Sequence, residues 1–423
     1  MEGNSRHLKR FPGAEKAAAL PTIVDFPTIV HEALAVFGNV VDTEAACRHC
    51  AAYLTGLIVA ARQTMRGINR AFVLTMDQSC LHRWLTEGEW DVQTLHDPRL
   101  AWLHQAPQTR SSARGVIALD HTLVTHEGQL GEDVGWFWDH VDQRHMIAHD
   151  DVITHHGCTS ESPYPIEWRR GKTRDSGTKE PCKDHTELCI EWIDDALRRG
   201  IPGALTCDSS FTSAQILNHL QSTPRTYVGD LQRHRKGVYT GREQNLQEVA
   251  RPIPGEAKKP VRMGSTRYGD FSPQMRMPAL MHPGRIGRFW RERGDLEASQ
   301  ALVSNRLGGE GMRMGLVYRQ RWPGTETVQR DGKQQVGLGD CQVRSGEGQP
   351  RPVYLVSPAY SLLMRSLGQS RVQAWARRTL TIIGEACQAV KAETLERVLD
   401  WIVEKRTVEP WSIPKITAVL VQS

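Results

Sequence analysis

Tyr318 to Gly337 reads Y-R-Q-R-W-P-G-T-E-T-V-Q-R-D-G-K-Q-Q-V-G, which sets one carboxylate, Glu326, among arginines, a lysine and a tryptophan. An acid in a basic, aromatic surface suits a hard divalent cation working on a phosphate backbone. Such chemistry requires further carboxylates, and two upstream aspartates qualify. Asp120 closes the apolar run Val116–Leu119, and Asp208 closes Ala204–Cys207. Singly, either aspartate reads as an ordinary turn or cap residue. Together with Glu326 they form a set that distant segments can bring to one sheet edge.

The elements around them alternate. Val116–Leu119, Met146–Thr154 and Tyr164–Trp168 read as a three-strand unit whose first strand delivers Asp120 at its end. Lys183–Gly200 is an amphipathic helix with a glycine where a C-cap is expected. Ala204–Cys207 is a second strand, Thr212–Leu220 a helix, Thr226–Asp230 a further strand and Ala301–Asn305 another, with a helix from Gly311. This order implies a mixed α/β sheet. Before it, the pattern from Thr43 is helical. A helix capped by Asp77 presents Gln78, Ser79, His82 and Arg83 on its opening turns, which is compatible with a helix-turn-helix. After it, Ala392–Arg406 is amphipathic, with Leu395, Val398, Leu399, Ile402 and Val403 at helical spacing, and packing on the core is expected.

At 39% hydrophobic and 24% charged residues, the 423-residue chain has the material for a sizeable core. It lacks an eighteen-residue apolar run and an N-terminal signal pattern, so a cytoplasmic protein without a membrane span is expected. Nine cysteines show no disulfide framework, and Cys47-Arg-His-Cys50 lacks a partner motif at zinc-finger spacing, so reduced structural thiols are expected. The net charge of +5 is unevenly spread. Residues 230–297 hold 14 Lys and Arg against 8 Asp and Glu, a local +6, and the rest sums to −1. That excess marks a candidate nucleic-acid contact. His140, His145, His149, His155 and His156 with Asp139, Asp150 and Asp151 look ligand-rich, but their spacing reads as a solvated hairpin face.

The motifs Ile117-Ala-Leu-Asp120-His-Thr, Thr206-Cys-Asp208-Ser and Tyr318-x-x-Arg321-Trp with Glu326 and Lys333 resemble those of DDE transposases of bacterial insertion sequences. Among them the IS701-like group of the IS4-related superfamily, with its Y-R-E-K signature, is the nearest likeness. One departure stands out: four residues, Trp322 to Thr325, separate Arg321 from Glu326, where the general pattern has three. A one-residue offset on a helix rotates a side chain by about 100°.

The resemblance implies an RNase H-like core, a mixed five-stranded sheet with flanking helices, carrying an inserted strand-rich domain and a helical N-terminal domain. The expected division is 1–110 helical and DNA-binding, 111–230 the first part of the core, 231–297 the basic insertion, 298–367 the second part of the core, and 368–423 a helical C-terminal region. Asp120, Asp208 and Glu326 would be catalytic and hold two Mg²⁺ (or Mn²⁺) ions. Tyr318, Arg321 and Lys333 would contact phosphates. Trp290 would stack on a flipped base, flanked by Arg288 and Arg291, with Gln78 and Arg83 as further DNA contacts and His121 supporting the site. The implied partner is double-stranded DNA, both terminal inverted repeats and target, engaged by a homodimer near the bacterial nucleoid. The alternatives are an RNase H-like structure-specific nuclease and a domesticated protein that only binds DNA.

Overall fold

The computed structural model describes residues 20–422, except 38–42, 75–76, 129–130, 132–133, 140–141, 158–162, 172–182, 251–252, 255–257, 264, 292–299, 309–310, 346–347 and 368–379. His140, Cys158 and Cys182 lie outside the described residues.

Five helices come first: α1 (Thr28–Phe37), α2 (Glu44–Val59), α3 (Met65–Arg70), α4 (Gln78–Glu87) and α5 (Gln93–His104). Helix α2 starts where Thr43 accepts the Ala46 N–H at 3.1 Å, and from Cys50 to Val59 every residue is buried. Cys47 and Cys50 sit on this helix as thiols outside any disulfide among the described residues, both pushed up by burial. Strands β1 (Val116–Thr125), β2 (Gly135–Asp139), β3 (Arg144–Gly157) and β4 (Tyr164–Arg170) follow, then α6 (His185–Arg198), β5 (Ala204–Cys207), α7 (Ala214–Gln221) and β6 (Tyr227–Asp230). Helix α6 opens on a capping box, with the Asp184 side chain accepting from Glu187 N–H and the Glu187 side chain accepting from Asp184 N–H. It buries Leu188, Cys189, Trp192, Ile193 and Ala196. The turn into β5 uses Gly203 at φ +121°, where a Cβ would stand 3.0 Å from the Gly115 carbonyl oxygen.

The next segment gives β7 (Lys236–Tyr239), β8 (Arg242–Asn245), α8 (Leu246–Ala250), β9 (Lys259–Met263), β10 (Thr266–Phe271), β11 (Gln274–Met275), β12 (Gly284–Arg291) and β13 (Gln300–Ser304). Helices α9 (Gly311–Arg319), α10 (Val328–Gln335) and α11 (Pro350–Leu367) complete the middle, and Ile383–Thr407 and Ile413–Gln422 end the chain as helices.

The main sheet runs β2-β3-β1-β5-β6-β13-β12-β10-β9. Its first five strands, with β3 antiparallel to β1 and with β1, β5 and β6 parallel, have a mixed order consistent with an RNase H-like core. Strands β9, β10 and β12 of the basic segment continue this same sheet through antiparallel β13. The N-terminal helices share the main apolar core with the sheet and the C-terminal helices. Buried Arg99 of α5 ties three parts together, donating to Pro165 O at 2.7 Å, Ile166 O at 2.6 Å and Ser361 Oγ at 3.0 Å.

Two expectations are corrected. Much of the hairpin face at β3 is interior: His149, Asp151, His155 and His156 are buried where α6 and the turn at Pro323–Thr327 pack on the strand, while His145 at its outer end stays exposed. The Leu395-Leu399-Val403 stripe does not pack on the core. Val398 and Val390 point inward, while Leu395, Leu399 and Val403 are 50–59% exposed. The inward face is set by smaller residues, Ala386, Cys387 and Ala389. Among the described residues, no helix is long and apolar enough to cross a membrane.

Candidate active site

Strand register explains how the aspartates meet. Leu119 of β1 pairs with Cys207 of β5, and Cys207 pairs with Gly229 of β6. The next residue on each strand is an aspartate: Asp120, Asp208 and Asp230. In-register neighbours on parallel strands project to the same side of a sheet. Asp120 does not end its strand, as its sequence context predicts. Residues 120–125 stay extended, with Asp120 paired to Ile153 of β3. What ends is the neighbouring strand β5 at Cys207, so Asp120 is the first residue of β1 beyond that parallel partner.

Asp208 leaves β5 into a 3₁₀ turn at Ser209–Phe211 and caps it, accepting the Ser210 N–H at 2.9 Å. Asp120 accepts the His121 N–H at 2.9 Å and Arg321 Nη1 at 2.9 Å. This ion pair is nearly enclosed, with side-chain exposures of 9% for Arg321 and 17% for Asp120. Burial pushes the Asp120 carboxyl up, Arg321 pulls it back and Asp208 adds to the rise. Asp230 is pushed up to about 6, mainly by burial, with Arg321 opposing and Asp208 reinforcing. Arg321 loses hydration on burial, yet Tyr318, Asp120 and Asp208 hold it above its ordinary value. Its guanidinium lies 5.5 Å from the Tyr318 ring centroid, and burial raises the Tyr318 phenol.

One ligand atom each from Asp120, His121 and Asp208 lies within 4.8 Å of the others. Two carboxylates and an imidazole form a donor set that a divalent cation accepts, so the residues fit such an ion. Alongside, Asp150 of β3 joins His121 Nδ1 at 3.0 Å and His185 Nε2 at 3.2 Å. The Asp150 carboxyl loses hydration on burial, but hydrogen bonds from the two histidines pull it down to about 2. The bond to Asp150 holds the His121 imidazole above its ordinary value against burial.

Past Arg321 the chain departs from α geometry. Pro323–Thr327 form a π-helical turn between α9 and α10. Pro323 has no N–H to donate back into the helix, which removes an i→i−4 bond. A π turn accommodates one residue more than an α turn. The extra residue between Arg321 and Glu326 is absorbed there, and Glu326 keeps about the phase of a residue four positions on. The turn sits close to the sheet: a Cβ on Gly324 would lie 3.5 Å from His155 Cβ and 3.7 Å from Ala118 Cβ.

The structure thus brings together Asp120, Asp208, Arg321, Tyr318 and His121. Glu326 is exposed on the π turn and belongs to neither compact ligand group. Lys333 is exposed on α10. Gln78 and Arg83 are exposed on α4. Trp290 is 2% exposed, packed with Ile253 and Phe271 and covered by Lys258 Nζ 4.4 Å from its ring centroid. Phe289, on the opposite face of β12, is buried as well, so Trp290 lies in a strand covered on both faces. Arg288 is also buried, at 1% exposure, and the Arg291 side chain lies outside the described residues. Sequence reasoning passed over Asp230 and His185 as site residues and assigned Asp150 to a solvated hairpin face. Asp230 closes the predicted strand Thr226–Asp230, so the strand-end rule that found Asp120 and Asp208 finds it too.

A family model described as DDE superfamily endonuclease matches residues 36–270, a span that includes Asp120, Asp208 and Asp230.

Proposed function

Since the chain belongs to the DDE superfamily of endonucleases, whose nucleases use divalent metals, we propose that it is a transposase of the IS701-like kind. In this reading it cleaves the ends of its own mobile element and transfers the freed 3′ hydroxyl into target DNA. The observation that carries it is the meeting of Asp120 and Asp208 beside an enclosed arginine.

Asp120 and Asp208 would hold the ion, Mg²⁺ or Mn²⁺, with His121 at its margin. Glu326, exposed on the π turn, would be the third carboxylate in the two-ion form of the mechanism. When bound, the cation would activate an oxygen nucleophile and offset charge on the reacting phosphate. Arg321 fixes the Asp120 carboxylate through Nη1, and its buried Nε has no partner among the described residues. That N–H is a donor for a phosphate oxygen. The Tyr318 hydroxyl, kept protonated by its raised pKa, is a second. Lys333 would meet the flanking backbone, and Gln78 and Arg83 on α4 would contact the duplex. The exposed Leu395, Leu399 and Val403 stripe supports a dimer on DNA.

The test uses duplexes carrying the DNA that flanks the gene, a supercoiled target plasmid and Mg²⁺. Nicks at a repeat boundary followed by joined products are expected. Cutting without joining points to a nuclease, and binding without cutting across ends and metals points to a DNA-binding protein only.

A further inference from the structure

At the opposite end of the β1–β5–β6 ladder lies a cavity of about 800 Å³. Gly115, Ala204 and Thr226, at the starts of these strands, line it. Gly115 and Asp120 are five residues apart on an extended strand, roughly 16 Å. Five arginines reach the cavity: Arg114, Arg225, Arg285, Arg306 and Arg313. No acidic side chain lines it among the described residues.

Arg225 is the distinctive member. It is 7% exposed, donates to Gly203 O at 3.1 Å and Ile201 O at 2.9 Å, and leaves Nε without a partner among the described residues. Neutral carbonyls hold the guanidinium in place but do not offset its charge, and a buried cation without a counter-charge is unfavourable. Burial accordingly pulls the Arg225 pKa down. Arg114, Arg306 and Arg313 are exposed at the rim. An anchored cation at the floor and mobile cations at the rim suit an extended anion with several negative oxygens. Val317 of α9 and Gln320 just past its end line this cavity, while Tyr318 and Arg321 beside them belong to the carboxylate cluster.

We propose that this cavity is a phosphate-binding site distinct from the carboxylate cluster, and that it holds the backbone of a DNA segment away from the reacting bond. The choice of DNA as the phosphate source rests on the function proposed above. The geometry itself requires only a polyphosphate-like anion.

The exposed pair Arg306→Ala/Arg313→Ala spares the folded core and is compared with wild type in EDTA, so the result does not depend on whether the protein cuts DNA. Binding of a fluorescent duplex is followed by anisotropy across a salt series, and stabilisation by tripolyphosphate is followed by Tm. The expected result is at least about tenfold weaker duplex binding at 100 mM salt. The slope of log K against log [salt] should also fall by about 1.8, or 0.9 per lost phosphate contact. Tripolyphosphate should raise Tm in wild type and compete with the duplex. Unchanged duplex binding with loss of the tripolyphosphate response still supports the site and identifies a free phosphate compound as its ligand. Unchanged affinity, slope and Tm response together overturn the proposal. Arg225→Gln, which removes the buried charge, should abolish the tripolyphosphate response if the variant folds.

Discussion

The two ends of the β1–β5–β6 ladder carry opposite charge. At one end Asp120, Asp208 and Asp230 stand in register with Arg321 drawn in among them. At the other, five arginines line a cavity that has no carboxylate among the described residues. The same short parallel strands build both. Because each strand is only a few residues long beside its parallel neighbours, whatever precedes or follows it arrives at a shared edge. The acidic end gathers carboxylates that repel one another, offset by Arg321 and by the backbone N–H groups of His121 and Ser210, which fits a site completed by a cation. The arginine end gathers cations that repel one another, which fits a site completed by an anion. The contrast separates two tasks, reacting with a phosphate and gripping one.

The comparison breaks if variants at the two ends have the same phenotype. The largest effect is expected from Asp208→Asn, which should lower Mg²⁺-dependent cleavage by about a thousandfold, the equivalent of several kcal/mol. Its duplex binding, by anisotropy, should stay within threefold of wild type. Arg321→Ala comes next, at roughly a hundredfold in cleavage rate. It leaves Asp120 buried beside Asp208, so the pH profile should shift upward, and Arg321→Lys should restore part of the rate because it keeps the charge.

Asp230→Asn tests the third position of the row, with about a tenfold loss expected. The Asp230 folded pKa is raised to about 6, so the folded state favours the protonated form. Its carboxylate therefore destabilises the fold increasingly as pH rises from about 4 to about 6, and is available to a cation only above that window. Mn²⁺ affinity should accordingly climb between pH 5 and 7 more steeply in wild type than in Asp230→Asn, as measured by calorimetry.

A deletion tests the π turn. Removing Trp322, which is 60% exposed, should convert the turn to α geometry and keep Tm and cleavage close to wild type. If Arg321 and Glu326 need the present spacing, the deletion inactivates the protein.

The smallest effect concerns Asp150, whose pKa is held at about 2 by His121 and His185. A depressed carboxylate stabilises the fold above its unfolded pKa and loses that contribution as pH falls from about 4 to about 2. Asp150→Asn should cost about 1–2 kcal/mol near pH 5, allowing for the partial exposure of both histidines, and little below pH 2. Urea unfolding at the two pH values checks this.

Residues with local signatures were legible in the sequence. Asp120 and Asp208 were readable because each directly follows a short apolar run, although only Asp208 leaves its strand there and β1 runs on to Thr125. The apolar face of α6 is equally local, and the capping box at Asp184, also a local pattern, went unread. Strand β2, Gly-Trp-Phe-Trp-Asp, was missed, being five residues long with no fully buried position. That the basic segment extends the core sheet was hidden, since pairing of β13 with β6 joins residues some seventy positions apart. Trp290 and Arg288 carry a DNA-binding composition, but β12 is covered on both faces by neighbours that composition does not specify. The spacing of Arg321 and Glu326 appeared as a defect in the motif, and only backbone geometry shows it as a π turn.

The most direct test places wild type and Asp120→Asn side by side on one end-derived duplex, with cleavage and binding measured in the same Mg²⁺ buffer. Asp120→Asn should bind the duplex as wild type does and yield no detectable nick. Cleavage at the wild-type rate by Asp120→Asn would contradict the assignment of the acidic edge as the reacting centre.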